Sequence, residues 1–291
     1  MIGSGLGRKP RIALMGEFSA GKSTLSNLLM GVRPLPEKVT ATRLSPVWIT
    51  YGDAAPYRMD IDGSTHPVEI SNLEDVPVEE TRYVHLSIEA DILEVCDLID
   101  FPGISDPNMA SSVWERMLTE VDAVIWCTHA NQAWRQSEAA VWDTMPQTVR
   151  ENSILLITRY DKLTTERDRL RVFKRVKRET AGQFGGTFPI SLVQAIAAGE
   201  DYDLWDASGA GPFTEHLIDM IEQLTVLTSR SELPLYNYQH AEDVPPAVIA
   251  PVVPRRVQRK PASGAERPEV PEAEINEDGT IVPTGEARRN G

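Results

Sequence analysis

Apolar residues recur along this chain in two alternating rhythms. Short runs that are continuously apolar, or that alternate with a period of two, predict strands at 12–15, 46–51, 57–61, 82–88, 92–99, 123–128, 154–158 and 187–190. Stretches with apolar residues three and four apart predict helices at 23–30, 109–119, 137–145, 164–183 and 212–228. In the last of these Phe213, Leu217, Met220, Ile221 and Leu224 share one face. Asp62-Gly63, directly after the third apolar run, is a hairpin signal. Segment 32–45 has two prolines and no apolar period, which predicts a loop, while 67–81 is polar and acidic without a clear element. Strands alternating with helices predict an α/β fold: a mostly parallel central sheet with helices on both faces, its ligands at the carboxyl ends of the strands.

The domain plan follows from where this rhythm stops. Residues 1–9, with Gly3, Gly5 and Gly7, read as a flexible leader, and 10–230 as the folded domain. Nine of the 21 prolines fall in 231–291, and no aromatic follows Tyr238. Such a segment cannot bury enough apolar surface to offset the entropy of ordering, so a disordered, proline-rich acidic tail is expected. Pro251-Val252-Val253-Pro254, followed by Arg255-Arg256, has the spacing of a polyproline ligand, although a solubilising tail without a partner is the simpler expectation.

A formal charge of −14 argues against broad nucleic-acid binding, which depends on neutralising phosphates with Lys and Arg. The chain has no apolar run of about 18 residues and no charged-then-apolar N-terminal segment. Neither a membrane span nor a signal peptide is expected, and the expected location is cytoplasmic. Cys96 and Cys127 lie inside apolar runs, as buried structural thiols do, and the five histidines show no metal-ligand spacing.

Chemistry enters at 16–23, Gly-Glu-Phe-Ser-Ala-Gly-Lys-Ser, which lies between a predicted strand and a predicted helix. That is the context a phosphate-binding loop requires. Gly16 and Gly21 permit the dihedrals and close approach that turn backbone N–H groups onto a polyphosphate, and the positive end of the following helix adds to the attraction. Nucleotide contacts are therefore expected from Gly16, Glu17, Phe18, Ser19, Ala20, Gly21, Lys22, Ser23 and Thr24. Lys22 would reach the β and γ phosphates, and the Ser23 hydroxyl would be a ligand of Mg²⁺.

Later stretches narrow the ligand to a guanine nucleotide and add the remaining pieces of the site. Asp100-Phe101-Pro102-Gly103 follows a predicted strand and fits the Asp-x-x-Gly signature of GTPases, with Asp100 toward Mg²⁺ and the Gly103 N–H toward the γ phosphate. Thr158-Arg159-Tyr160-Asp161 resembles the base-reading Asn/Thr-Lys-x-Asp signature, with Arg159 where lysine is usual. The Asp161 carboxylate can accept from guanine N1–H and its 2-amino group, whereas adenine would leave it unpaired. The alternative role for Asp161 is to cap a helix that begins at Lys162. In the loop at 32–45, Thr42, with Thr40 as the alternative, can add a hydroxyl to Mg²⁺ and order with GTP. Ser191 stands where GTPases carry a Ser-Ala pair that supports the base, and Leu192 departs from that pair.

With these pieces assembled the chain resembles the dynamin-like large GTPases, especially their bacterial members. The resemblance is carried by GEFSAGKSTLSNLL at 16–29, the 35–42 loop leading into Val47-Trp48-Ile49-Thr50-Tyr51-Gly52, DFPG at 100–103 and LLITRYDKL at 155–163. It covers about residues 10–229, the GTPase domain only. Family members usually continue into a long helical stalk that assembles and acts on membranes, and no such stalk is expected within this sequence. The resemblance implies bound GTP or GDP, Mg²⁺ as cofactor, and a nucleotide-dependent homodimer or heteromer with another dynamin-like or stalk-bearing protein. Membrane contact would come only through such a partner or the basic helix 164–183. That helix carries Arg167, Arg171, Lys174, Arg175 and Arg178, although a solvated face laced with Glu166, Asp168 and Glu179 is the simpler expectation.

The same resemblance bears on hydrolysis. Ras-type GTPases orient the attacking water with a glutamine after Asp-x-x-Gly. Here that position is Ile104, an apolar residue as in the dynamin-like family. Eukaryotic dynamins place a glutamine within the phosphate loop, at the position of Phe18. Ser19, Lys22, Thr42, Mg²⁺ and the backbone remain, so the monomer is expected to hydrolyse GTP slowly and a pair of GTPase domains faster. The alternatives are a scaffold that binds GTP or GDP without useful hydrolysis, and an ATP-using phosphate-loop enzyme. Segment 129–135, with Trp134, is expected at the nucleotide face, either packed beneath a neighbouring loop or anchoring an interface.

Overall fold

The structure is a computed structural model that describes residues 7–31, 45–104, 112–231, 273–275 and 281–283. The chain divides into two units, 1–235 and 236–291. In the first, strands β1 (Arg11–Gly16), β2 (Val47–Tyr51), β3 (Tyr57–Asp60), β4 (Thr65–Pro67), β5 (Thr81–Ile88), β6 (Asp97–Asp100), β7 (Ala123–His129), β8 (Ile154–Thr158) and β9 (Gly186–Pro189) form one sheet in the order β4-β3-β5-β2-β6-β1-β7-β8-β9. The half β6-β1-β7-β8-β9 is parallel throughout. β2 runs antiparallel to β6 and parallel to β5, and the β3–β4 hairpin turns at Asp62-Gly63 as its sequence predicts.

Alternation along the strands builds a core on each face. Ile12 and Leu14 of β1 pack with Ile125, Cys127 and Leu156 on one side, beneath Leu25 of α1 (Lys22–Met30). The same face is covered by Phe213, Leu217, Met220, Ile221 and Leu224 of a long C-terminal helix at Ala210–Ser231. Ala13 and Met15 point the other way and join Val124, Trp126, Leu155 and Ile157. These are covered by Trp142 of a helix at Gln136–Trp142 and by Val176 of one at Glu166–Glu179. A strand buried on both faces reads as a continuous apolar run, which is why β1, β7 and β8 are legible in the sequence.

The sheet register decides what can meet. Leu14 is level with Asp100, Gly16 with Cys127, and His129 with Thr158. Parallel β1, β6, β7 and β8 thus end at one edge, which gathers 16–23, 100–103, 129–135 and 158–161 from distant parts of the chain.

Several elements depart from expectation. The apolar run 92–99 is not one strand: α2 (Asp91–Val95) precedes β6. Asp91 and Glu94 favour the first turn of a helix, and Leu93 turns inward to full burial. Of the helix predicted at 109–119, α3 (Ser112–Glu115) and a 3-10 turn at Leu118–Glu120 are found, and Met109 lies outside the described residues. The helix predicted at 137–145 is α4 (Gln136–Trp142), and a further helix, α5 (Gln147–Glu151), follows it. The helix predicted at 164–183 is α6 (Glu166–Glu179), because the Thr165 hydroxyl, not Asp161, caps it by accepting from the Asp168 N–H at 3.1 Å.

Two unpredicted helices precede α9 (Ala210–Ser231), and both have legible caps. Ser191 caps α7 (Leu192–Ala198), and Asp201 caps α8 (Tyr202–Ala207). The tail and its PxxP segment lie outside the described residues, apart from β10 (Ala273–Ile275) paired antiparallel with β11 (Ile281–Pro283).

Candidate functional site

The phosphate loop turns sharply out of β1. A side chain at Gly16, whose φ is 139°, would place Cβ 2.1 Å from the Cys127 carbonyl oxygen, so β7 leaves no room for one. Lys22, at the start of α1, folds back beneath the loop and donates to the carbonyls of Gly16 at 3.1 Å and Glu17 at 3.0 Å. It is 9% exposed, and burial pulls its ammonium below the usual lysine range against the opposing pull of Asp100. The Gly103 backbone lies against Phe18, with room of only 3.0 Å for a Cβ, and the Ile104 N–H donates to the Gly16 carbonyl at 3.2 Å. The Asp-x-x-Gly segment is therefore packed directly on the phosphate loop.

Asp100 is the least comfortable group of the assembly. Burial pushes its carboxyl up to about 6 despite the neighbouring Lys22, and its Oδ1 has no hydrogen-bond partner. A buried carboxylate oxygen left unpaired is costly and calls for an absent positive partner. Asp100 and the Ser23 hydroxyl at the start of α1 fit an Mg²⁺ that keeps its waters and binds through one carboxylate plus substrate phosphates. Among the described residues no group of three His, Cys, Asp or Glu could cage a metal, and such a site needs none. Thr40 and Thr42 lie outside the described residues. Cys96 and Cys127 are buried as expected, and burial holds both thiols up at about 12.

The other end of the site is built on β8. The buried Thr158 hydroxyl donates to the Ala20 carbonyl at 2.7 Å, which ties the end of β8 to the phosphate loop. Arg159 then takes a left-handed conformation, φ 53°, that turns the chain into a 3-10 turn holding Asp161. Ser191 donates to Asp161 Oδ1 at 2.8 Å. Burial works to raise the Asp161 carboxyl, but the Ser191 hydrogen bond, a backbone N–H and Lys162 hold it below the usual range. An ionised, oriented acceptor at a strand end suits a base that offers two adjacent N–H donors.

Among the described residues, Ser19, Trp134 and Arg159 are the non-glycine residues with positive φ, at 60°, 57° and 53°. One lies in the phosphate loop, one in the loop after β7 and one in the base-side loop. Such strain costs about 1–3 kcal/mol per residue and collects where function requires it. Trp134 is 8% exposed and packs edge-on against Trp126 and Phe184, which makes it part of the core and removes it as an interface anchor.

Sequence reasoning misses Arg135, Ser137 and Glu138. Arg135 pairs with Glu17 of the phosphate loop at 2.9 Å, and the Ser137 hydroxyl donates to the same carboxylate at 2.6 Å. A signal is present: an acid inside a loop built for anions needs a cation on an adjoining strand end.

Residues 12–160, more than half of the chain, match the dynamin family. The chain belongs to that family. Over 167 residues it is 28% identical to dynamin-like protein 2 of Campylobacter jejuni, a match that covers 55% of this chain and 27% of that protein. The chain thus spans little more than a quarter of that relative. Two chains from solved structures of an oligomerised bacterial dynamin pair, described as a mechanism for the long-range sensing and tethering of membranes, superpose with a TM-score of 0.54. They are 20% and 23% identical, covering 77% of this chain and 36% of theirs, and show a shared fold. What this dynamin-family chain shares is the GTPase domain, which supports binding and hydrolysis of GTP in general. Among its described residues no helix is long and apolar enough to cross a membrane.

Proposed function

We propose that residues 10–230 form a Mg²⁺-dependent GTPase domain that acts as a nucleotide switch or assembly subunit in the cytoplasm. It binds GTP tightly, hydrolyses it slowly alone, and is accelerated when two such domains, or a dynamin-like or stalk-bearing partner, meet across the nucleotide. The observation that carries this is the buried Lys22 ammonium folded beneath the phosphate loop, together with a buried Asp100 oxygen that has no partner.

Lys22 would leave the Gly16 and Glu17 carbonyls for the β and γ phosphates, while backbone N–H groups from Glu17 to Thr24 cradle them. Ser23, Asp100 and Thr42 would hold Mg²⁺, which when bound neutralises charge on the β and γ oxygens. The Gly103 N–H would mark the γ phosphate, and Ser19 would orient groups around it. Thr158, Arg159, Asp161 and Ser191 would hold guanine. Neither Phe18 nor Ile104 can orient a water, so the domain lacks a side chain for that task at either position.

A second function has its own support: Phe18 is 70% exposed at the loop and apolar, as befits a scaffold that binds GTP and recruits a partner without turnover. Single-turnover phosphate release, measured over a wide range of protein concentration, decides between them. Release per molecule is expected to rise with concentration. Constant slow release would refute activation by self-association, and bound GTP with no release at any concentration would favour the scaffold.

A further inference from the structure

The loop after β7 forms a rigid platform around a buried acid. Glu138, 2% exposed, accepts from the Trp126 indole N–H at 3.0 Å, the Thr128 hydroxyl at 3.0 Å and the Arg135 N–H at 2.9 Å. The Thr128 hydroxyl in turn accepts from the Trp134 N–H at 2.9 Å. Arg175 of α6 donates to the Ala133 carbonyl at 2.7 Å and clamps the loop from outside. The left-handed Trp134, packed on Trp126 and Phe184, fixes the direction in which the next residue leaves. From this platform Arg135 and Ser137 both reach Glu17, whose side chain is 13% exposed.

We propose that Arg135 is a positioning residue for nucleotide binding: held by the Glu138 platform, it neutralises Glu17 and keeps the phosphate loop open and electrostatically fit for a polyphosphate. Glu17 occupies the second place of a loop whose business is to attract anions, and an uncompensated carboxylate there repels every phosphate that enters. Arg135 cancels that charge and, with Ser137, pulls the side chain away toward the β7 loop. Anchored on another strand, the carboxylate leaves the loop N–H groups to the ligand. The role presupposes the guanine-nucleotide site proposed above and gives it a cis-acting residue outside the sequence motifs.

The test is the equilibrium affinity of the full chain for Mg²⁺·GTP and Mg²⁺·GDP at low and at physiological salt, for the wild type, Arg135→Ala, Arg135→Lys, and Glu17→Gln combined with Arg135→Ala. Arg135→Ala is expected to bind GTP about tenfold more weakly, GDP less affected because it carries less charge, with a smaller loss at high salt. Arg135→Lys is expected to keep most of the affinity. The double variant is expected to recover to within about threefold of wild type, since the neutral amide introduced by Glu17→Gln needs no cation; a purely structural role for Arg135 would not be rescued in this way. Wild-type affinity in Arg135→Ala, or a double variant as weak as the single, would overturn the proposal. A wild-type chain that binds no GTP would instead overturn the nucleotide site itself.

Discussion

Replacing Lys22 with alanine is expected to weaken Mg²⁺·GTP binding by about 100-fold or more while the nucleotide-free domain stays folded. Lys22 is already buried before any ligand arrives, so its desolvation is a cost of the folded state, and the return comes when phosphate oxygens replace the Gly16 and Glu17 carbonyls. Charge-assisted hydrogen bonds are worth about 1.5–3 kcal/mol each, and losing two of them gives a change of that size. The two carbonyls are not orphaned by the substitution. Gly16 still accepts from the Ile104 N–H at 3.2 Å, and Glu17 from the Ala20 N–H at 3.2 Å. Calorimetric titration beside a thermal melt checks both halves; a loss of less than about fivefold in a folded variant would mean that Lys22 does not meet phosphate.

Asp100→Asn is expected to stabilise the nucleotide-free domain above pH 6 while raising the Mg²⁺ concentration needed for phosphate release. The folded carboxyl titrates at about 6, against its ordinary value of 3.8, because burial disfavours the charge more than Lys22 favours it. The folded state therefore holds the proton more tightly than the unfolded chain. Below pH 3.8 both states are protonated and nothing is lost; as pH rises through 6 the fold takes on a penalty of about 3 kcal/mol. Asparagine cannot ionise, so its advantage should be full above pH 6 and vanish below about pH 4, as seen in urea unfolding at a series of pH values. A variant less stable than wild type at pH 8 would show that Asp100 is well paired without a cation. A carboxylate that weakens the nucleotide-free fold is expected where binding needs it.

The strand-ending motifs are legible because each marks a place where backbone and charge requirements coincide. Gly16 is required by the Cys127 carbonyl, Asp100 ends β6, and Lys22 and Asp161 lie in the short segments that follow β1 and β8, strands whose apolar runs are hard to mistake. The run 92–99 misleads because eight apolar-rich residues serve a short helix and a short strand equally well, and only the inward turn of Leu93 settles the matter. Helices α7 and α8 are too short for a periodic signal; their caps, Ser191 and Asp201, are the available sign. Ser191 has a double task, capping α7 and orienting Asp161, and a single residue in a sequence shows only one of them. The Glu17–Arg135 contact joins distant parts of the chain and depends on β1 lying beside β7, which no local pattern conveys.

The claim on which all of this depends is that the edge formed by β1, β6, β7 and β8 is a guanine-nucleotide site. Equilibrium competition between GTP and ATP for the purified chain in Mg²⁺ tests it most directly. GTP is expected to bind at least about 100-fold more tightly than ATP, because guanine N1–H and its 2-amino group can donate to the oriented Asp161 carboxylate and adenine has no such pair of donors. Equal or tighter binding of ATP, or no binding of either nucleotide, would contradict it.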